Sequence, residues 1–447
     1  MPNHLDPISD LKYCVDPFHG PREYPPLQAS EISRPTDLPR LPLESFERII
    51  SFIANDCWLE CNPEPLLFCA LTCRDWLPRS RFHLYRSVLL KNEKQFARFL
   101  ATIRSTRLLG LFVHELVLGT NISIDDEEEN GVIGSTRIKE APVYSWLSQV
   151  PTHILPLTPS VSSILLCCLP PIHGPTEKMI SQFKTHKSLY SLTLYNCRFA
   201  SARDFRRFLS WFPSLGRLHL RRIYILRTES DTPLDTFHAR RVPAVVELQL
   251  WDSPDVHVIN NVISCQITQN IRKLQYVCDH KAMAPALAGV ISRCAASLEE
   301  LELVLKDVGS GGVRALGIPD KLDFSVAFRL TTLRLCIHAI TGMEPFIDIF
   351  RIPPQLEYLT IAVLLVSTSV PRVVALEWET LDKYLAGPGF NRLKNVKIVL
   401  HEHLVWSIDR INLHRGIWGR MPLLESRNTV RILLRTLDYL DTTNLWL

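Results

Sequence analysis

A six-residue spacing, LxxLxL with Leu, Ile, Val or Tyr accepted at each apolar place, recurs along most of this chain. It starts at Val113, Val161, Leu189, Leu215, Val245, Ile271, Leu298, Leu330, Leu356 and Leu393, and from Val161 onward the starts lie 26 to 37 residues apart. The clearest copies read LYSLTL, LGRLHL, LEELEL, LTTLRL and LEYLTI. Most intervals hold a helix-like stretch, such as Ser201 to Trp211 or Met283 to Ala296, so the repeating unit is one strand plus one helix. A single unit of this kind cannot bury its apolar face. Stacked units place the three apolar positions of every strand in one continuous core, with helices along the outer side. The expectation is an α/β fold, a solenoid of curved parallel sheet over residues 113–427. The competing reading is an ordinary α/β domain whose buried strands contain the same triplets by chance.

The spacing is similar to that of leucine-rich repeats, although the Asn or Cys of that pattern, three residues past the last leucine, occurs once, as Cys197 after Leu194. Ile223, Ser253, Lys306 and His338 stand at equivalent places elsewhere, so the region is degenerate and leucine-rich-repeat-like. Beyond it, Val430, Leu433, Leu434, Leu437 and Leu440 fall at helical spacing, and residues 428–447 are expected to form a capping helix or a docking helix.

The front of the chain is built differently. Residues 1–40 carry Pro2, Pro7, Pro17, Pro21, Pro25, Pro26, Pro35 and Pro39 with no sustained period, which predicts an irregular arm. From Leu41 a helix begins: Pro42 suits a first helical position, Glu44 and Glu47 suit the positive end of the dipole, and Leu43, Phe46, Ile50 and Ile53 share a stripe. A polar loop is expected over Asn55 to Pro65. A second apolar run, Leu66, Leu67, Ala70 and Leu71, then leads through Trp76 to Phe82, Leu84 and Tyr85, giving three short helices over 41–86. Over 87–112 a strand at Ser87 to Leu90 and a helix capped by Asn92 with Gln95, burying Phe96, Phe99, Leu100 and Ile103, should bridge to the repeats.

The run LPLESFERIISFIANDCWLECNPEPLLFCALTCRDW, Leu41 to Trp76, resembles the F-box motif of fungal F-box proteins: LPxE, an apolar helix, a gap, then an apolar helix ending near CRxW. Leu41, Pro42, Glu44, Ile49, Ile53, Leu66, Leu71, Cys73, Arg74 and Trp76 carry the match. The resemblance implies a non-catalytic substrate-receptor subunit of an SCF-type cullin-RING ubiquitin ligase, with the adaptor and cullin scaffold as partners and a protein substrate held by the repeats. It assigns adaptor contact to Leu41, Pro42, Ile49, Leu71 and Trp76; the plainer reading is that these residues pack the helices together. A scaffold outside ubiquitylation is the alternative.

Substrate contacts are expected where residues alternate with the apolar places and so project from the concave face. These are Tyr195; Arg217, His219 and Arg221; Glu247, Gln249 and Trp251; Lys273 and Gln275; Glu300 and Glu302; and Arg334, Tyr358 and Lys397. Charge changes sign from Arg217–Arg221 to Glu300–Glu302, and Trp251 and Tyr358 are candidate aromatic anchors. Solvent-facing strand positions are polar in any case, which is the plainer account of each.

Composition narrows the classes. Fifty Lys and Arg against 46 Asp and Glu give +4 over 447 residues, with no sign of a phosphate-binding surface, so nucleic acid is not expected. No apolar run approaches the ~20 residues of a membrane span, and no secretory leader opens the chain, so a cytoplasmic or nuclear protein with its 12 cysteines as thiols is expected. Cys57, Cys61, Cys69 and Cys73 are spaced more loosely than a zinc knuckle. His401 and His403 flank Glu402 without a third ligand in view, and Asp125 to Glu129 read as a solvated loop. Phosphate-loop, nucleophile-elbow, zincin and dinucleotide motifs are absent, and neither a cofactor nor a catalytic residue is expected.

Overall fold

The computed structural model describes residues 42–60, 64–119, 146–168, 182–227, 243–251, 256–264, 267–278, 283–305, 322–338, 350–365, 378–403, 415–427 and 429–437. The 1–40 arm, Leu41 and the acidic run Asp125 to Glu129 lie outside them. The chain divides into two compact units, Met1–Ile49 and Ile50–Leu447.

The first unit is described from Pro42. The Pro42 carbonyl accepts from the amides of Ser45 and Phe46, starting helix α1 (Leu43–Glu60). That helix runs on to Glu60, and α2 (Glu64–Thr72) follows after three residues, so the loop expected over Asn55 to Pro65 is mostly helix. The reason is energetic scale: Asn55 and Asp56 each disfavour helix by only about 0.5 kcal/mol, too little to stop one.

In the second unit α2, α3 (Leu77–Arg86) and the second half of α1 enclose a small core of Ile50, Ala54, Leu66 and Cys69, with Ile53, Trp76 and Leu84 packed against it. Arg79 ties the helices together, donating to Ser51 Oγ from Nη2 (2.9 Å) and Nε (3.2 Å). Strand β1 (Ser87–Leu90) comes next, then α4 (Glu93–Ser105) and α5 (Arg107–Leu111). The α4 start is capped by Asn92, whose Oδ1 accepts from the Gln95 amide (3.0 Å), while Gln95 Oε1 accepts from the amide of Lys91, one residue before the cap (2.8 Å).

The rest is organised by one twelve-stranded sheet, every neighbouring pair parallel. After β1 its strands are β2 (Glu115–Gly119), β3 (Ser163–Cys167), β4 (Ser191–Tyr195), β6 (Arg217–Arg221), β8 (Glu247–Trp251), β9 (Lys273–Cys278), β10 (Glu300–Leu305), β12 (Thr332–His338), β14 (Tyr358–Leu365), β15 (Asn395–His403) and β16 (Val430–Leu437). Small parallel pairs join β5 (Arg198–Ser201) to β7 (Tyr224–Arg227) and β11 (Leu322–Asp323) to β13 (Phe350–Arg351). Strands therefore stack in chain order, each parallel pair joined by a crossover connection.

The ten motif starts, Val113 to Leu393, are all buried, as are the second and third apolar places of each copy, from Leu116 and Leu118 through to Val396 and Ile398. They share one core cluster with Phe205, Phe208 and Leu209 of α6 (Ala202–Leu209), Val258, Ile259 and Val262 of α7 (Val256–Ser264), and Leu287, Val290 and Ile291 of α8 (Met283–Cys294). Elsewhere a 3-10 turn replaces the helix, as at Gln182–Thr185 and Phe324–Val326. After β3, β4 and β6 the chain turns through Cys168, Asn196 and Arg222, equivalent positions that all hold a positive φ of 49° to 53°. Cys197 is fully buried just past this turn, its thiol donating toward the carbonyls of Leu166 and Tyr195.

The sheet is longer than the ten copies at both ends. β1 belongs to it, pairing in parallel register with β2. Val430 to Leu437, expected within a capping helix, form strand β16 on the edge of β15. A short apolar run fits both periods, and the available edge of β15 decides between them; residues 438–447 lie outside the described set. Ahead of β15, α9 (Trp378–Leu385) supplies Asp382, 2% exposed, whose carboxylate accepts the amides of Leu423 and Leu424 (2.9 and 2.8 Å) at the start of α10 (Pro422–Ser426). Among the described residues no helix is long and apolar enough to cross a membrane.

Candidate functional site: two protein-facing surfaces

Helix α2 is apolar on two sides. Leu66 and Cys69, three residues apart, point into the small helical core, while Leu67, Phe68 and Leu71 occupy the opposite stripe and stay exposed. Leu71 is 82% exposed and Phe68 61%, and Phe52 on α1 is 69% exposed. A helix that carries apolar groups all round normally has neighbours all round. Here the described structure covers one side.

The expected adaptor contacts separate on this evidence. Leu71 projects outward and packs on nothing that would explain it as core. Trp76 is half-buried against the helical core and serves packing. In the first unit Pro42 and Ile49 are exposed, while Leu41 falls outside the described residues. Phe52, Leu67 and Phe68 were not among the adaptor contacts expected from sequence. The signal for them is that Leu66, Leu67, Phe68 and Leu71 are more apolar positions than one helix face can bury.

The second surface is the sheet face turned away from the core cluster, arranged by strand register in three rows. The first row reads Ser87, Glu115, Ser163, Ser191, Arg217, Glu247, Lys273, Glu300, Thr332, Tyr358 and Asn395. Two residues on, the second reads Leu89, Val117, Leu165, Thr193, His219, Gln249, Gln275, Glu302, Arg334, Thr360, Lys397 and Arg431. The third contains Tyr195, Arg221 and Trp251 and continues as Val277, Val304, Cys336, Ala362 and Val399, a separate buried apolar cluster with Trp251 packed against it. All the expected substrate contacts therefore share one face.

Their charges are linked sideways. Arg217 pairs with Glu247 (3.0 Å), which also meets Lys273 (3.8 Å), so part of the basic step expected at Arg217 to Arg221 is neutralised by Glu247 on the next strand and not by the acidic step at Glu300 to Glu302. Arg217 also stacks 5.6 Å from the Tyr190 ring centroid, and Arg221 5.2 Å from that of Tyr195. Glu302 departs from expectation outright: it is 4% exposed, accepts from Gln275 Nε2 (2.9 Å) and faces Arg334 (3.5 Å), so it is a buried member of the face and not an exposed acidic contact. Burial pushes its carboxyl above the ordinary range, against the pull of Gln275, Arg334 and Lys273. Burial likewise lowers His219, keeping the ring neutral beside Thr193 (3.4 Å). Glu300 and Trp251 are half-buried, Tyr358 is exposed, and Lys394 reaches over the Tyr358 ring while pairing with Glu357 (2.6 Å).

Glu115, which the sequence did not single out, lies where β1, β2 and β3 meet. It accepts from the hydroxyls of Ser87 (3.0 Å) and Ser163 (3.3 Å), and burial raises its pKa. Of the cysteines considered for zinc, Cys69 is buried in the helical core and Cys73 is exposed, and His401 is buried in β15. Among the described residues no group of three His, Cys, Asp or Glu side chains is placed to hold a metal ion. No family model matches the chain, and no curated protein matches it significantly.

Proposed function

We propose that this chain is a substrate-receptor subunit of an SCF-type ubiquitin ligase, in which α1–α3 act as an F-box that docks on the adaptor and a leucine-rich-repeat-like solenoid holds the protein to be modified. The reading is supported by the helical segment that resembles the F-box and, above all, by the second apolar side of α2, with Leu67, Phe68 and Leu71 exposed. Such a subunit breaks and makes no bond. It raises the effective concentration of a target beside the conjugating enzyme, replacing a bimolecular encounter with a tethered one.

The test is co-purification with the SCF adaptor. Leu71 is 82% exposed, and full burial of a leucine contributes about 1.5–3 kcal/mol, so Leu71→Asp weakens adaptor binding by roughly tenfold or more. The variant's thermal unfolding should match the parent's, because an exposed position carries little folding energy. Adaptor binding that survives Leu71→Asp combined with Phe68→Asp would refute the docking assignment. A protein that accumulates when the chain is deleted, and whose ubiquitylation disappears with it, distinguishes a ligase receptor from a scaffold.

A further inference from the structure

Three polar atoms on the sheet face that carries the expected substrate contacts are buried and have no hydrogen-bond partner among the described residues: His219 Nε2 on β6, Trp251 Nε1 on β8 and Gln275 Oε1 on β9. These strands are consecutive neighbours in the sheet. In the second row His219, Gln249 and Gln275 are register partners, and Trp251 stands two residues beyond Gln249 on β8. The three side chains therefore belong to one patch, about 10 Å across at the backbone. A buried donor or acceptor without a partner is costly to the fold. Three of them on adjacent strands of one face point to a group that supplies the missing partners.

The bonds these side chains do make fix what each orphaned atom can offer. Gln275 Nε2 donates to Glu302 Oε2 (2.9 Å), which orients the amide and leaves Oε1 as an acceptor. Trp251 Nε1 can only donate. His219 Nδ1 lies 3.4 Å from Thr193 Oγ1, and we assign the proton of the neutral ring to it, so that Nε2 is an acceptor. The patch thus presents one donor and two acceptors. Formal charge around it is balanced: Glu247 meets Arg217 and Lys273, Glu302 faces Arg334, and Glu300 is the register partner of Lys273. Arg221, farther along β6, lies over the Tyr195 ring.

We infer that His219, Trp251 and Gln275 form a binding site for the uncharged amide groups of an extended segment of the target protein, supplied by Asn or Gln side chains or by the main chain. An amide carries both kinds of group the patch lacks: an oxygen to accept from Trp251, and N–H to donate to Gln275 and His219. A carboxylate only accepts and would leave both acceptors unmet, while an ammonium only donates and would leave Trp251 unmet. Either charge would also find the nearby counter-charges already engaged with one another. Each of the three side chains is half-buried, so a change of rotamer brings its polar atom to the face. The inference rests on the receptor reading for the existence of a target and deepens it by naming the chemistry recognised; the hydrogen-bond argument itself does not involve α1–α3.

The experiment uses the full chain, alone and with the SCF adaptor, and fluorescence anisotropy of labelled octapeptides of asparagine, glycine, sarcosine, glutamate and lysine. Octaasparagine should bind, with an affinity that holds between about 50 and about 500 mM salt because no net charge is exchanged. Octasarcosine keeps the main-chain carbonyls without the amide N–H and should not bind. Octaglycine bound as tightly as octaasparagine assigns the amide to the main chain, and weaker octaglycine binding assigns it to the side chain. Trp251→Phe keeps an aromatic ring without the N–H and should weaken octaasparagine binding roughly threefold to tenfold, the share of one neutral hydrogen bond. Its thermal unfolding should not fall, since the donor removed has no partner in the fold. His219→Phe should weaken binding by a similar factor, and Glu379→Gln, exposed on α9, should leave it unchanged. Peptide binding lost with the adaptor still bound sinks this inference alone, and peptide binding without adaptor binding sinks the receptor reading alone. Failure of octaasparagine to bind, parental affinity in both Trp251→Phe and His219→Phe, or octaglutamate, octalysine or octasarcosine bound as tightly as octaasparagine would each overturn the assignment.

Discussion

Gly110→Ala isolates a close approach on which the early part of the sheet depends. Gly110 is buried in α5, and a methyl group built on it would stand 2.0 Å from the Leu157 carbonyl oxygen and 3.2 Å from its carbonyl carbon. Ordinary contact of a methyl carbon begins near 3.4 Å, so α5 and the 155–157 turn must part by about 1.4 Å, and both are backbone with no rotamer to yield. Overpacking of this kind costs about 1–3 kcal/mol, whereas alanine in place of glycine in a helix returns at most about 1 kcal/mol. The net expectation is a loss of about 1–2 kcal/mol. Gly389, with nothing within 4 Å of its added methyl, is the matched control and should shift stability by no more than about 0.5 kcal/mol. Stacked repeats need not unfold as one unit, so the assay pairs urea denaturation with hydrogen exchange. Exchange should accelerate over β2 and β3, which flank the contact, and stay unchanged over β14 and β15. A Gly110→Ala protein as stable as the parent, or one stabilised as helix propensity alone would have it, refutes the close approach.

Leu303→Ala, at a fully buried position of β10, should cost about 2.7–5 kcal/mol, while Glu300→Ala on the other face of the same strand stays within about 0.5 kcal/mol; urea midpoints decide. His83 is held down at about 4, first by burial and then by Arg79 and Arg86, so the unfolded chain takes up its proton first. Stability of the three-helix segment should therefore fall as pH drops from 6.5 toward 4, and His83→Gln should flatten that slope in pH-dependent urea titrations. Glu302 has the opposite sign: its folded pKa is raised by burial, so its contribution is present below about 4.5 and is lost as pH rises through the folded value. Glu302→Gln keeps an acceptor for Gln275 and should remove that loss, so the variant gains relative to the parent as pH rises above about 4.5; a constant difference would count against the buried carboxylate.

The repeat was legible because burial on one face forces a period of two and stacking forces the larger period. All thirty apolar places from Val113 to Ile398 therefore occupy the positions that spacing assigned. The strand expected at Ser87 to Leu90 is β1, and Tyr85, Val88 and Leu90 obey the same spacing, so its place in the repeat was legible too, hidden by its closeness to the helical segment. β16 was not: Arg427 stands at the first apolar place, and what makes 430–437 a strand is the free edge of β15. The face of each candidate contact followed from alternation, but Glu302's burial did not, because it is set by Gln275 and Arg334 on neighbouring strands. Leu71 was named from a motif, whereas its exposure beside buried Leu66 and Cys69 depends on where α1 and α3 pack.

Strand length grows along the sheet, from four residues in β1 and five in β2 to eight in β14 and nine in β15. Each added pair of residues adds rungs to the ladder, and from β9 onward the extra length carries Val277, Val304, Cys336, Ala362 and Val399 under cover. The two ends of the molecule thus differ in compliance. A pulling force applied through the helical end would peel short, singly backed strands before reaching the doubly backed block, so this protein yields mechanically from its front and leaves its rear intact.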